Sequence, residues 1–209
     1  MEEIKADQIK KTGTTTVGLV CRDGVVFACD KRATMGYYVA SKDVMKVEKL
    51  NDRIAMTIAG GVGDAQTLVR WMKAEIKLYE LKNGRKMSVE AAATLLANIL
   101  SQYKYYPFYV QLLIGGMDER ARIFSVDMLG GVTEEKFTAT GSGSPIAMGL
   151  LEETYKEDRE VSENIRVAAR AINTAMKRDI ATGEGVTVMT ITAKGIEMLP
   201  DKEVKKVLL

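Results

Sequence analysis

A glycine followed by three threonines, at residues 13–16, separates a polar N-terminal segment from a stretch rich in β-branched residues. A threonine hydroxyl becomes an effective nucleophile only when a neighbouring base accepts its proton. Histidine is the usual base, and the chain contains none. Its absence excludes Ser-His-Asp triads, Cys-His dyads and ordinary catalytic zinc sites. A hydrolase with this sequence must therefore use a lysine, a carboxylate or its own α-amine as the proton acceptor.

An N-terminal threonine would supply nucleophile and base from one residue. A free α-amine has an unperturbed pKa of roughly 7.7–8.0 and can accept the hydroxyl proton at physiological pH. A nearby lysine ammonium would favour the neutral amine and the alkoxide, and it would need a carboxylate partner in a cleft. Cleavage after Gly13 would create such a residue at Thr14. Taken alone the junction is weak evidence, because threonine-rich strand starts are common and glycine eases a chain into a sheet.

The composition is that of one ordinary globular domain, with 209 residues of which 46% are hydrophobic and 28% charged. Thirty basic residues are interleaved with 28 acidic ones. The sequence therefore has no cluster of basic residues that would predict binding to the phosphate backbone of a nucleic acid. We expect no membrane span, no secretory signal and therefore a cytoplasmic protein. Cys21 and Cys29 lie in apolar runs and are interpreted as buried free thiols rather than a disulfide or a metal site.

Hydrophobic periodicity and turn residues predict blocks of strands that alternate with pairs of helices. The predicted strands span residues 14–20, 25–29, 37–40, 45–47, 53–59, 109–114, 122–126, 132–140, 185–192 and 195–198. The predicted helices run from 63 to about 81, from an N-cap at Ser88 to before Pro107, from the 141–145 turn to about 155, and from an N-cap at Ser162 to Asp179. This order predicts an α+β fold, a four-layer αββα sandwich of two stacked, mainly antiparallel sheets flanked by helices.

Several motifs resemble those of the proteasome β subunit in its archaeal form, an N-terminal nucleophile hydrolase, and they occur in the same order as in that family. They are residues 14–18 (TTTVG), 30–32 (DKR), Lys46, 58–66 (IAGGVGDAQ), 140–145 (TGSGSP) and 177–179 (KRD). The resemblance covers essentially the whole chain from Thr14 onward. It implies a threonine endopeptidase whose residues 1–13 are a propeptide, removed by self-cleavage between Gly13 and Thr14, and whose residues 14–209 form the catalytic domain.

The resemblance implies a reaction centre of three residues. Thr14 would be the nucleophile, and its amine would be the base after processing. Lys46 would be the ammonium that tunes Thr14, with Asp30 as its carboxylate partner. Without the resemblance, Asp30 and Lys46 are as well explained by a structural ion pair or a solvated strand lysine.

Four further residues receive supporting roles from the resemblance. Ser142 and Asp179 would support the amine of Thr14 and the neighbouring water network. The main-chain amide of Gly60 would face the developing oxyanion. Thr182 departs from the family pattern, which usually has serine at this position, but it keeps the hydroxyl. Ser142 and Asp179 also suit an ordinary turn and helix end.

The resemblance also implies a groove for an extended peptide. Thr34, Gly60 and Val62 would contact its main chain, as in the addition of a strand to a sheet. The pocket before the scissile bond would be lined by Ala33, Val44, Ile58 and Val62, with Glu48 near the rim. The four side chains that line the pocket are uncharged, so we expect it to bind a large apolar substrate residue (a chymotrypsin-like preference).

The family resemblance implies assembly as well as activity. The chain would form seven-membered β rings stacked between rings of proteasome α subunits, fed with unfolded polypeptides by an ATP-driven unfoldase, with neither metal nor cofactor. A non-catalytic ring subunit of the same fold and an amidase acting on small molecules are alternatives. A nucleotide-binding module is disfavoured, because the 60–63 turn lacks the third glycine of a dinucleotide loop and the Gly-Lys-Ser/Thr of a P-loop.

Overall fold

Twelve strands and five helices form within residues 13–209, the part of the chain that the computed structural model describes. The strands are β1 (Thr15–Cys21), β2 (Gly24–Asp30), β3 (Ala33–Met35), β4 (Tyr38–Ser41), β5 (Val47–Lys49), β6 (Ile54–Gly60), β7 (Val110–Met117), β8 (Ala121–Val126), β9 (Val132–Glu135), β10 (Phe137–Gly141), β11 (Val186–Thr192) and β12 (Gly195–Met198). The helices are α1 (Val62–Asn83), α2 (Val89–Gln102), α3 (Ser144–Thr154), α4 (Val161–Met176) and α5 (Asp201–Leu208). Of the predicted propeptide, only Gly13 lies within the described residues.

Two five-stranded antiparallel sheets stack face to face, in the orders β10-β1-β2-β11-β12 and β5-β6-β7-β8-β9. Strand β2 explains why the first sheet is covered on both sides, because its apolar residues are buried on both faces. Val25 and Phe27 point into the core between the sheets, whereas Val26 and Ala28 face the core under α3 and α4. A third apolar core lies between α1, α2 and the second sheet. The predicted four-layer αββα sandwich is confirmed.

The predicted strand at residues 132–140 is wrong as a single element. Residues up to Glu135 form β9, which pairs with β8 in the second sheet, whereas β10 begins at Phe137 and pairs with β1 in the first sheet. The chain crosses between the sheets at a bend on Lys136. The sequence there contains no glycine or proline, so turn chemistry does not reveal the crossing.

Other boundaries differ in smaller ways. Helix α4 begins at Val161 with Glu160 as N-cap, because Glu160 and Glu163 form a reciprocal capping box; Ser162, the predicted cap, lies inside the helix. The helix ends at Met176, before Asp179. Strand β3 and helix α5 were not predicted, and β5 begins one residue after Lys46 rather than including it.

Several local predictions are confirmed. Ser88 caps α2 by accepting a hydrogen bond from the Ala91 N–H at 3.2 Å. Cys21 and Cys29 are buried free thiols, and burial raises the pKa of Cys29 to about 12. None of the helices within residues 13–209 combines the length and apolar character needed to cross a bilayer.

Candidate active site

Thr14 lies at the start of β1, where the first sheet places it beside the end of β10. It is 5% exposed. Its hydroxyl donates to the carbonyl oxygen of Gly13 at 2.7 Å, and its main-chain N–H donates to the Ser142 hydroxyl at 3.3 Å. Both groups of the residue expected to act as nucleophile and base are therefore held in defined directions. The hydroxyl is held against the peptide bond that the sequence predicts to be cleaved.

A buried ion pair lies beneath Thr14. The Lys46 ammonium donates to Asp30 Oδ1 at 2.7 Å, with both side chains at most 5% exposed. Asp30 also accepts main-chain N–H groups, from Thr15 on Oδ1 and from Arg32 and Gly183 on Oδ2. Four donors therefore satisfy the buried carboxylate oxygens. Burial lowers the pKa of Lys46, and the Asp30 charge opposes this effect.

A second polar cluster lies on the other side of Thr14. The Ser142 hydroxyl donates to Asp179 Oδ2 at 2.6 Å, and the Thr182 hydroxyl donates to the same carboxylate oxygen. Thr182 also shares a 2.6 Å hydrogen bond with the Thr15 hydroxyl. Asp179 thereby connects the turn after β10, the loop after α4 and the start of β1. The structure brings three of the four predicted supporting residues, Ser142, Asp179 and Thr182, into one network that reaches the Thr14 N–H.

Glycines make the close approaches around Thr14 possible. Gly141 has φ +91°, and a Cβ there would lie 2.0 Å from the Thr14 carbonyl oxygen. Gly60 has φ +112°, and its Cβ would lie 2.2 Å from the Tyr109 carbonyl oxygen. Both conformations favour glycine, and neither position has room for a side chain. The backbone of Gly60 therefore lies bare beside the cleft.

Gly13 occupies a tight position of its own. A Cβ at this residue would lie 1.7 Å from the Ala181 Cβ, so the residue before Thr14 must be glycine unless the 180–183 loop moves. The Gly13 N–H donates to the Thr34 hydroxyl at 2.9 Å. Thr34 was predicted to bind substrate main chain, whereas the contact with Ala181 was not predicted.

A cavity of about 250 Å³ opens beside Thr14 and Lys46. All of the predicted groove and pocket residues line it: Ala33, Thr34, Val44, Ile58, Gly60 and Val62. Glu48 also reaches it, paired with Lys73 of α1 at 3.0 Å. The sequence analysis missed five further lining residues: Met45, Gln66, Val69, Arg70 and Lys73. Four of these lie on α1 at the spacing of one helix face continuing from Val62, which is the signal that could have identified them.

A further cavity, of about 330 Å³, also opens beside Thr14. It was not predicted. Thr14 and Gly60 line it together with Tyr109, Gln111 and Ser142, among others. Gln111 of β7 also accepts the Gly141 N–H at 3.0 Å, which ties the second sheet to the turn that carries Ser142. Thr14 thus lines both cavities.

Comparison with known proteins identifies the family. Residues 10–191 match the family described as "Proteasome subunit". The proteasome subunit beta of Methanocaldococcus fervens is 53% identical over 199 residues, covering 94% of this chain and 89% of that protein. The proteasome subunit beta of Archaeoglobus profundus is 52% identical over 204 residues, covering 97% and 94%. That of Methanocaldococcus jannaschii is 52% identical over 199 residues, covering 94% and 89%.

The chain belongs to the proteasome subunit family, as a β subunit. Proteasome β subunits are threonine endopeptidases, which is the enzyme class that the motifs led us to expect. The resemblance inferred from residues 14–18, 30–32 and 58–66 is therefore confirmed. The fold brings these motifs together around Thr14, because they lie at the start of β1 and at the ends of β2 and β6.

Proposed function

We propose that this chain is the precursor of a catalytic proteasome β subunit, which frees its own nucleophile by cleavage between Gly13 and Thr14. One observation carries the proposal: the Thr14 hydroxyl contacts the Gly13 carbonyl group at 2.7 Å, beside the buried pair of Lys46 and Asp30. A structural subunit would need neither the buried ammonium at this point nor the steric exclusion of every residue but glycine at position 13.

The first reaction is self-cleavage. The Thr14 oxygen attacks the Gly13 carbonyl carbon, forming a C–O bond, and the C–N bond between the two residues breaks as its nitrogen gains a proton. The resulting ester is hydrolysed by one water, which yields the Gly13 carboxylate and restores the Thr14 hydroxyl. The products include a free α-amine on Thr14, the base that the chain otherwise lacks.

The second reaction is peptide hydrolysis. The Thr14 amine accepts the hydroxyl proton, and the oxygen attacks a substrate carbonyl while the Gly60 N–H stabilises the oxyanion. The amine then protonates the leaving peptide, and water hydrolyses the ester. The Lys46 ammonium favours the neutral amine and the alkoxide, and Asp30 keeps that ammonium charged despite its burial. Ser142, Asp179 and Thr182 hold the amine in position.

Substrates with a large apolar residue before the scissile bond fit the cavity beside Lys46. Its walls include Ala33, Val44, Ile58 and Val62, and two of its charged groups, Glu48 and Lys73, neutralise one another. A basic substrate side chain would lose water there and find Glu48 already paired with Lys73. The hydrogen bond from the Gly13 N–H to Thr34 supports the view that Thr34 can bind the main chain of a substrate residue in the same position.

The family also supports assembly with proteasome α subunits, in seven-membered rings that enclose the sites, supplied in the cytoplasm by an ATP-driven unfoldase. An exposed aromatic surface supports a contact role on this chain. Trp71, Tyr103 and Phe108 pack edge to face or tilted, with centroids 5.1–5.8 Å apart, and Tyr105 and Tyr106 beside them are more than 80% exposed. Contiguous exposed apolar surface of this kind marks interaction sites.

The proposal is tested by N-terminal sequencing of the particle assembled with α subunits, combined with hydrolysis of a peptide that has an apolar residue before the bond. We expect Thr14 as the N-terminus and rapid hydrolysis. Thr14→Ala should retain residues 1–13 and cleave nothing, and Thr14→Ser, which keeps the hydroxyl, serves as the matched control. Leader removal from the alanine variant alone would refute self-cleavage, and an inactive wild-type particle that keeps its leader would indicate a structural subunit.

A further inference from the structure

The turn that carries Gly60 is fastened to the neighbouring strand by an acidic side chain, Asp64. The chain leaves β6 at Gly60, and α1 begins at Val62 with Gly61 as its N-cap. The Gly61 N–H donates to the Tyr109 carbonyl oxygen at 2.8 Å. The Tyr109 N–H in turn donates to Asp64 Oδ2, also at 2.8 Å. These two bonds form a clasp between the turn and the residue that precedes β7.

The clasp adds hydrogen bonds between β6 and β7 beyond their last pair of residues in register. The register of β6 and β7 ends with Gly60 opposite Val110, because the chain then turns into α1. The next rung would need an acceptor for the Tyr109 N–H, and the Asp64 carboxylate supplies it. Asp64 lies in the first turn of α1, where the helix dipole favours a negative charge. Its carboxylate bonds a different segment of the chain rather than the N-cap of its own helix.

We propose that Asp64 is a positioning residue for the Gly60 amide and so sets the strength of the oxyanion site. The inference rests on the proposed function, which assigns that amide to the oxyanion. The β6–β7 ladder fixes the chain before Gly60, and the clasp fixes it immediately after. Between them Gly60 holds φ +112°, a backbone conformation in which glycine alone is unstrained and which could otherwise relax.

The position of an oxyanion donor matters more for the transition state than for substrate binding. A donor aimed at the tetrahedral oxygen contributes to kcat, and a small displacement forfeits much of that contribution. Loss of the clasp should therefore lower kcat by roughly tenfold and leave KM within about twofold. A residue that merely stabilises the fold would lower the melting temperature without this separation of kcat from KM.

The experiment compares Asp64→Ala with Asp64→Asn in assembled, processed particles whose Thr14 sites are counted with a threonine-reactive inhibitor. Asparagine keeps an oxygen that can accept the Tyr109 N–H but removes the charge, so we expect it to retain near wild-type kcat. Glu75→Ala, which removes an exposed carboxylate from the same helix, is the matched control. A peptide boronic acid, which forms a charged tetrahedral adduct on the threonine, should bind the alanine variant more weakly by the same factor as the loss of kcat.

Other outcomes would overturn the assignment. Wild-type kcat and boronate affinity in Asp64→Ala would show that the clasp does not position the donor, and an equal loss in Asp64→Asn would show that the charge acts instead. If the alanine variant fails to assemble, Asp64→Leu replaces it, since leucine is similar in shape and accepts no hydrogen bond. An inactive wild-type particle would refute the proposed function, whereas an active wild type with an equally active Asp64→Ala refutes only this inference.

Discussion

The two polar clusters on either side of Thr14 are built on different principles. The pair of Asp30 and Lys46 is charged and buried, and Asp30 accepts four hydrogen bonds. The cluster of Ser142, Asp179 and Thr182 is connected through hydroxyl groups, and Ser142 and Asp179 are partly open to solvent. A charge acts over several ångströms in a dry environment, whereas a hydroxyl acts only through the atom it touches. The first cluster should therefore control the chemistry of Thr14, and the second its orientation.

The largest effect is expected for Lys46→Ala. Without the ammonium, the Thr14 alkoxide and the neutral amine lose their stabilisation, and kcat should fall by about 10³-fold. Self-cleavage should slow as well. Breaking the buried pair removes the ammonium partner of the buried Asp30 carboxylate and should lower the unfolding free energy by about 3 kcal/mol. A larger loss is not expected, because Asp30 keeps three main-chain donors. Lys49→Ala, which removes an exposed lysine three residues away, is the control. A kcat within tenfold of wild type would show that the charged cluster does not control the chemistry.

Asp30→Asn should change the pH dependence of the reaction. Burial lowers the pKa of Lys46 and the Asp30 charge raises it, so removal of that charge lowers the pKa further. The ammonium is then lost at a lower pH, and the alkaline limb of the kcat profile should move toward neutrality. An unmoved alkaline limb would mean that another group sets it. In the wild type, the lowered pKa means that the folded chain binds fewer protons than the unfolded chain above that pKa. Lys46 should therefore make the unfolding free energy rise with pH up to about 10.4, the pKa of a free lysine.

Asp179→Asn tests the second cluster, with a smaller expected effect. An amide oxygen in place of Oδ2 can still accept both hydroxyl groups, but its NH2 group then faces the Ala181 N–H, which donates to Oδ1 at 3.3 Å in the wild type. This conflict between two donors should cost the Thr14 amine part of its orientation. We expect kcat to fall roughly tenfold while the alkaline limb of the pH profile moves less than in Asp30→Asn, because the Asp179 charge raises the pKa of Lys46 less than the Asp30 charge does. Asp158→Asn, at an exposed position before α4, is the control. A shift of the alkaline limb as large as that of Asp30→Asn would show that Asp179 acts mainly by its charge and would abolish the distinction between the clusters.

Thr182→Ser should have the smallest effect. Serine keeps the hydroxyl that bonds Asp179 and Thr15. We expect kcat within about twofold of wild type. Thr182→Val keeps the shape but removes the hydroxyl, and it should lower both kcat and, by about 1 kcal/mol, the unfolding free energy. Equal kcat in the serine and valine variants would show that the contact is dispensable.

The parts of the fold that follow from local chemistry could be predicted from the sequence. The apolar run of β2 and the Ser88 cap of α2 are examples, since each depends on residues close together in the chain. The crossing at Lys136 and the capping box at Glu160 could not be predicted from turn signals. The first carries no such signal, and at the second Ser162 was the more conventional cap.

The candidate site divides in the same way. The motifs located Asp30, Lys46 and Ser142 because the family resemblance assigned them, and the fold then brought them together around Thr14. The contact of Ala181 with Gly13 and the clasp of Asp64 join segments that are far apart in sequence. An alanine, or an acid in the first turn of a helix, has an ordinary local explanation, so spacing alone could not have identified either one.

The close approach of Gly13 to Ala181 limits which residue can precede Thr14. The space at position 13 accommodates glycine alone, since even a methyl group there would collide with the 180–183 loop. That loop also supplies the Thr182 hydroxyl and the Gly183 N–H, so a larger residue would disturb the two clusters at once. We therefore expect a substitution at position 13 to act in two ways, by slowing the proposed release of the leader and by disturbing the reaction centre.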